Sequence, residues 1–127
     1  MRAQHLVCLA LLVPSMAYAE ADWKWTSGDV SPSGWSTAQG VASVELKGGR
    51  LEGRLYGADR LRPAQTLIGS VTSGQVNAVR RVHGSDVGDE TMRGTYAQMR
   101  HGDSIYEAII VQTQWGFLGI TRTVRDR

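Results

Sequence analysis

From Gly40 to Val124 the chain repeats one pattern, a short run of alternating apolar and polar residues followed by a turn that contains glycine. Alternation with a period of two is typical of β-strands that bury one face. No window of helical periodicity reaches three turns, so the pattern predicts about eight strands and little or no helix. Strands joined by short turns usually pair with their sequence neighbours. We therefore expect a single small all-β domain, an antiparallel meander, in which a closed barrel is favoured over a two-sheet sandwich because closure removes exposed edges.

The first 19 residues form a separate unit. Arg2 makes the beginning basic, residues 6–13 are an uninterrupted apolar run (LVCLALLV), and Ala17 and Ala19 occupy the small-residue positions that a signal peptidase reads. A run of this length is too short to cross roughly 30 Å of hydrocarbon as a helix. We expect a signal peptide at residues 1–19, cleavage after Ala19, no retained transmembrane segment, and a periplasmic or secreted protein.

Cleavage there would leave residues 20–127, a single domain of 108 of the 127 residues. The one cysteine, Cys8, would be removed with the signal peptide, so no disulfide is expected in the domain. Loss of Arg2 leaves 13 basic and 12 acidic residues, and the basic residues are spread along the chain. This near-neutral charge without a basic patch argues against nucleic acid as a partner.

Three charged residues fall on the inward face of the predicted strands: Arg80, Glu107 and Arg122. A lone buried charge is costly and must be paired or hydrated. Glu107 and Arg122 lie on strands predicted to be adjacent, with Arg80 or Tyr96 nearby if the barrel closes. Two interpretations stay open for these four residues: a structural ion pair near one rim, or the polar floor of a ligand-binding cavity. A third, Glu107 as a catalytic acid or base, needs a second carboxylate or a histidine within reach.

The first functional hypothesis is a non-enzymatic binding module that holds a small apolar or amphipathic ligand inside the barrel. A site of this kind is a cavity lined mainly by apolar side chains with a few polar anchors. Glu107 or Arg122 would be the anchor. The hypothesis predicts an interior void lined by Leu51, Leu55, Val76, Met92, Tyr96 and Ile109.

A family resemblance points in the same direction. Trp23 and Trp25 stand near the beginning of the domain and Arg122 stands near its end. In strand count, strand order and these terminal residues the chain resembles the calycins (lipocalins, fatty-acid-binding proteins and avidins), meandering barrels in which an Arg from the last strand crosses a Trp on the first. The Gly-x-Trp motif of lipocalins is absent, because Trp23 follows Ala21 and Asp22. The resemblance implies ligand binding in the barrel without catalysis.

The second functional hypothesis is a protein-binding factor of the cell envelope, of the inhibitor or immunity type. Aromatic residues and arginine are enriched at protein interfaces. The expected irregular connections at residues 27–39 and 83–89 would present the binding surface. The candidate surface residues are Trp35, Tyr56, Arg60, Arg62, Trp115 and Phe117.

Recognisable catalytic, metal and cofactor motifs are absent from the sequence. Asp86, Asp89 and Glu90 lack the spacing of a calcium loop and are expected to form a solvated acidic turn. His83 and His101 have no third ligand that would complete a zinc site. No Gly-x-Ser-x-Gly elbow or phosphate loop occurs. We expect no enzyme activity, metal or cofactor, and the sequence leaves the partner and the oligomeric state open.

Overall fold

Eight antiparallel strands form a closed barrel in the computed structural model of the chain, which describes residues 22–86 and 88–125. Each strand pairs with the next in sequence, and β8 pairs with β1 to close the barrel. The all-β meander and the barrel, rather than the sandwich, are thus confirmed. The strands are β1 (Trp23–Ser31), β2 (Gly34–Lys47), β3 (Arg50–Tyr56), β4 (Gln65–Thr72), β5 (Gln75–Val82), β6 (Glu90–His101), β7 (Ser104–Gln112) and β8 (Gly116–Arg125).

The predicted signal peptide, residues 1–19, lies outside the described residues. Its cleavage and the export of the domain therefore stay predictions. Within residues 22–86 and 88–125, no helix is long and apolar enough to cross a membrane.

The connections alternate between the two ends of the barrel. The connections after β1, β3, β5 and β7 lie at one end, here called the upper end, and those after β2, β4 and β6 lie at the lower end. The lower-end turn after β2 consists of Gly48 and Gly49, whose φ angles of 61° and 81° are positive. Two consecutive positive φ values are what a tight type I′ hairpin turn requires, as their sequence predicts.

Residues 27–39 differ from their expected irregular conformation. They complete β1 and begin β2, joined by a tight turn at Pro32 and Ser33. Serine, glycine and proline in this stretch are typical of loops, but β1 is hydrogen-bonded on both sides, to β2 and to β8, and this pairing overrides the local composition. The resulting β1–β2 hairpin extends past β3, whose pairing with β2 begins at Val41.

Apolar side chains fill the middle of the barrel. They come from the inward face that the alternation predicts, and none is more than 3% exposed. An eight-stranded barrel is just wide enough for its own side chains to fill. One contiguous cluster contains Trp23, Trp25, Ala42, Leu51, Leu55, Leu67, Val76, Ala78, Met92, Ile109, Val111, Leu118 and Ile120.

Gly94 marks a place where β6 and β7 approach too closely for a side chain between them. A Cβ atom on Gly94 would overlap the carbonyl oxygen of Ile110 and lie 2.7 Å from the Cα of Val111. Because these are backbone atoms of a paired strand, we expect Gly94→Ala to lower the free energy of unfolding by about 2 kcal/mol. Gly119→Ala is the matched control, since its Cβ would meet nothing nearer than the Thr26 oxygen at 4.0 Å. Urea denaturation measures both variants, and equal losses would contradict the close approach.

Candidate functional site

Glu107 is the centre of a polar cluster at the lower end of the barrel. Its Oε1 accepts hydrogen bonds from Nε (2.9 Å) and Nη2 (2.7 Å) of Arg122. Its Oε2 accepts from the Tyr96 hydroxyl (2.5 Å) and from Nε2 of Gln98 (3.1 Å). Nη1 of Arg122 also donates to Asp22 at 3.2 Å. The predicted pairing of Glu107 with Arg122 is present, because the β7–β8 register sets the two residues opposite each other.

The hydrogen bonds keep Glu107 ionised although its side chain is only 7% exposed. Burial raises the pKa of Glu107, but the hydrogen bonds from Tyr96, Arg122 and Gln98 outweigh burial, and the pKa lies below its ordinary value. Burial and the bond to Glu107 raise the pKa of Tyr96. A carboxylate with a lowered pKa and with both oxygens occupied is a poor general acid. The geometry therefore gives no support to the catalytic hypothesis for Glu107.

Arg122 also covers the first strand. Its guanidinium carbon lies 4.8 Å from the centroid of the Trp23 ring, within the range of a cation–π interaction. Burial lowers the pKa of Arg122, and the hydrogen bonds to Glu107 and Asp22 outweigh burial and raise it. Trp23 is 2% exposed, so Trp23 and Arg122 together close the lower end of the apolar core.

Arg80 lies at the opposite end of the barrel from Glu107. Its Nε and Nη2 donate to Oε1 of Glu90 (3.1 and 2.5 Å), and Nη2 is 3.5 Å from Oδ1 of Asp29. The Arg80 side chain is 5% exposed, so this is a buried ion cluster. Of the two residues expected beside Glu107 and Arg122, Tyr96 is there and Arg80 is not, because Arg80 is near the end of β5 and Glu107 is near the beginning of β7.

Sequence reasoning missed both partners of Arg80. It placed Asp29 in an irregular connection and Glu90 in a solvated acidic turn, and both predictions are wrong: Asp29 belongs to β1 and Glu90 begins β6, opposite Arg80. The sequence contained a signal for Glu90. If the alternation is extended two residues back from the inward Met92, it predicts that Glu90 also points inward. At the same end, Gln65 is buried, and its Oε1 has no hydrogen-bond partner among the described residues.

Within residues 22–86 and 88–125, five of the six side chains expected to line a ligand cavity leave no void around them in the middle of the barrel. A void that held even one water would leave accessible surface on the side chains around it. Of the six side chains expected to line it, Tyr96 is half-buried, with its hydroxyl bonded to Glu107. Large inward side chains, two indoles among them, pack closely in the middle of a barrel of this radius. The other five side chains are 0–1% exposed: Leu51, Leu55, Val76, Met92 and Ile109.

Three exposed apolar side chains lie near the half-buried Phe117 at the upper end, and the four residues are here called the aromatic patch: Val30, Trp35, Trp115 and Phe117. Val30 and Trp35 lie opposite each other in the β1–β2 register, and Trp35 stacks on Phe117 across β1 with ring centroids 6.4 Å apart. Gly28 permits this stacking, because a Cβ there would lie 2.6 Å from the Trp35 ring and 2.8 Å from the Phe117 ring. Val30, Trp35 and Trp115 are 51%, 59% and 58% exposed.

A hydrogen-bonded turn holds Trp115 in place. The N–H of Thr113 donates to the Gly116 oxygen (2.8 Å), and the N–H of Trp115 donates to Oγ1 of Thr113 (3.1 Å). The Trp115 oxygen accepts from the N–H of Val30 (2.8 Å). Both backbone polar groups of Trp115 are thus engaged, while its indole faces solvent. An open groove of about 760 Å³ adjoins it, lined by Glu90, Thr91, Arg93, Gln112, Thr113, Gln114 and Trp115.

The remaining candidate surface residues lie outside the aromatic patch. Tyr56 is half-buried at the end of β3 and pairs with Val41 of β2. Trp35 precedes Val41 by six residues of extended strand, a separation of about 20 Å. Arg60 and Arg62 are exposed in the connection between β3 and β4, at the same end of the barrel as Trp35. The structure therefore brings three of the four predicted aromatic residues together and leaves Tyr56 apart.

Metal ligands do not cluster in the part of the chain that the structure describes. No group of three His, Cys, Asp or Glu side chains there is arranged to hold a metal ion. His83 follows β5 at the upper end and His101 ends β6 at the lower end, so the two histidines cannot share one ion.

In comparisons with known proteins, the chain matches no protein family, no curated protein and no solved structure. The resemblance to calycins therefore stays a prediction, and the function has to be argued from the geometry of the chain's own residues.

Proposed function

We propose that this chain is an exported protein-binding module that acts through the aromatic patch, as an envelope inhibitor or immunity-type factor does. One observation carries the proposal: apolar side chains fill the middle of the barrel, while the indoles of Trp35 and Trp115 are exposed on its outside. Contiguous exposed apolar surface on a soluble domain commonly marks an interaction site. The case for export rests on the sequence of residues 1–19 alone.

The patch has the physical properties of an interface centre. Its two tryptophans bury large apolar areas when covered, and Trp is among the residues that most often dominate binding energy. The backbone bonds of Trp115 fix the position of its Cα, and the stacking of Trp35 on Phe117 restricts the Trp35 ring before any partner arrives. Binding therefore costs less conformational entropy at Trp35 than it would for an unstacked side chain. The rim adds polar groups, because Arg93, Gln112 and Gln114 line the groove beside Trp115.

Trp115→Ser tests the proposal most directly, since this indole has no part in the core. We expect the purified wild-type domain to capture a specific protein from an envelope extract of the producing cells, identified by mass spectrometry. Trp115→Ser should weaken the captured complex about 30-fold in calorimetric titration, the equivalent of a 2 kcal/mol hot spot. Its thermal unfolding should stay close to that of the wild type because Trp115 is 58% exposed.

Ile68→Ser is the matched control. Ile68 is 49% exposed on the outer face of β4, which lies across the barrel from β8. This variant loses an exposed apolar side chain of similar accessibility and should bind the partner as the wild type does. Equal binding by wild type, Trp115→Ser and Ile68→Ser would overturn the assignment of the patch. Native mass spectrometry that found a small molecule bound to the wild-type domain and no protein partner would support the ligand-binding hypothesis instead.

A further inference from the structure

Among the described residues, part of β2 in the β1–β2 hairpin has no neighbouring strand on its outer side. Residues 35–39 of β2 pair with β1, whereas β3 pairs with β2 only from Val41 onward. No residue in the described ranges 22–86 and 88–125 pairs with the other side of residues 35–39, and all five are exposed. We call this stretch the open edge.

The turn geometry determines which backbone groups face outward along the open edge. Ser31 and Gly34 flank a two-residue turn, which makes them a hydrogen-bonded pair. Alternation then directs the N–H and C=O groups of Ser36 and Ala38 to β1. The groups of residues 35, 37 and 39 point away from β1. The backbone of Val30, which lies opposite residue 35, supports this assignment of directions. Its N–H points away from β2 and donates to the Trp115 oxygen.

The composition of the open edge lacks the usual protection against strand addition. Proteins block exposed edges with charged side chains, proline, bulges or very short strands. Residues 34–44 (GWSTAQGVASV) contain no charged residue and no proline. The overhanging part of β6 differs: it continues past the last β5 pairing at Thr95 and carries Arg100 and His101. Unlike the β6 overhang, the β2 overhang is thus an uncharged template for another strand.

We propose that the open edge pairs with the open edge of a second copy of this chain. In an antiparallel arrangement with the two-fold axis at Thr37, each Thr37 lies opposite the partner's Thr37. Trp35 lies opposite the partner's Gln39. The three residues that present backbone groups are symmetric about Thr37, so all six N–H groups meet carbonyl oxygens.

A second copy fits this edge better than an unrelated strand does. Self-pairing opposes no like charges, because the stretch has none. An unrelated strand would use the same six backbone bonds, but the open edge itself offers no charge that would select its sequence. The proposal goes beyond the protein-binding function. Trp35 belongs to both the aromatic patch and the open edge, but the two proposals are tested separately because Trp115 lies only in the patch and Thr37 lies only in the open edge.

The dimer should be weak and should depend on concentration. Six hydrogen bonds of modest net value act against the loss of translational and rotational freedom. We expect a dissociation constant on the order of 10–1,000 µM for the wild-type chain. Analytical ultracentrifugation over that concentration range should show the mass rise from one copy to two.

Thr37→Lys tests the symmetry axis, because it sets two positive charges directly opposite each other. Dimerisation should weaken by at least about tenfold. Thr95→Lys is the matched control, since Thr95 is exposed on β6 and is paired on both sides, with the uncharged residues Gln75 and Ile110. This control should dimerise as the wild type does. A wild-type chain that stays monomeric at about 1 mM, or a Thr37→Lys variant that dimerises normally, overturns the proposal.

A disulfide trap converts the weak pairing into a covalent product. Residues of a hydrogen-bonded antiparallel pair have Cα atoms about 5.5 Å apart, which a disulfide can bridge. In a Cys8→Ser background, Thr37→Cys should form a covalent dimer under mild oxidation, and Thr95→Cys should do so far more slowly. Equal rates for the two variants would show random collision and refute the pairing. Partner capture through Trp115 is scored separately, so either proposal can fail without the other.

Discussion

Replacing Arg80 by methionine should lower the free energy of unfolding by about 3 kcal/mol, because the change leaves Glu90 and Asp29 without their cation. Methionine keeps the length and much of the volume of the side chain, so lost packing contributes little. Arg80 donates twice to Glu90 from a side chain that is 5% exposed. A loss of this size is a large fraction of the 5–15 kcal/mol that usually stabilises a domain.

The neighbouring arginine provides the control for this prediction. Arg81 also donates through two nitrogens to one carboxylate, Asp89, at 2.9 and 3.0 Å, but its side chain is 63% exposed. Exposed ion pairs contribute little to stability, so Arg81→Met should leave the free energy of unfolding close to that of the wild type. The two variants differ chiefly in burial, and guanidinium chloride denaturation of both at neutral pH compares them.

A second substitution separates lost charge from lost shape. If the uncompensated carboxylate causes the loss, Glu90→Gln in the Arg80→Met background should restore a substantial part of the stability, because the lone charge is removed. Equal losses of stability in Arg80→Met and Arg81→Met, or no recovery in the double variant, would mean that the buried ion cluster of Arg80, Glu90 and Asp29 contributes no more to stability than an exposed ion pair does.

The inward charges show how far alternation can be trusted. The alternation of inward and outward residues along each strand predicts that Arg80, Glu107 and Arg122 point inward, and all three do so in the structure. Alternation also identifies the Glu107–Arg122 pair, because the two strands are consecutive. It could not identify Asp29 as a partner of Arg80, because β1 and β5 are not neighbours and their residues meet only across the closed barrel. The segment around Asp29 also has the composition of a loop.

Alternation alone could not predict whether the barrel interior holds a cavity or is filled by side chains. Alternation indicates which side chains point inward, but the space left depends on the barrel radius and on the summed side-chain volume. The aromatic patch is a similar case. Trp35 and Phe117 lie 82 positions apart in sequence, and they meet because β8 closes against β1 and Gly28 leaves room for both rings.

Glu107→Gln should lower the free energy of unfolding by about 3 kcal/mol at pH 7, because the amide cannot supply the charge that Arg122 faces. Gln is nearly isosteric with Glu and still offers one oxygen to the Tyr96 hydroxyl, so the loss is electrostatic rather than steric. Glu52→Gln is the control, since Glu52 is a strand residue whose pair with Arg50 is long (3.8 Å) and solvated. This control should change stability by less than about 1 kcal/mol.

The pH dependence of this difference identifies its cause. The pKa of Glu107 is lower in the folded chain than its ordinary value, so the folded state binds fewer protons than the unfolded state as acid is added. The stability that the carboxylate contributes is therefore complete above the unfolded pKa, about 4.3, and is lost as the pH falls through the folded value. Urea denaturation of wild type and Glu107→Gln between pH 7 and pH 2.5 should show a constant gap above about pH 5.5 that narrows in acid. If the difference in the free energy of unfolding is unchanged at pH 2.5, the loss is caused by packing, and the charge of Glu107 contributes nothing to the stability of the fold.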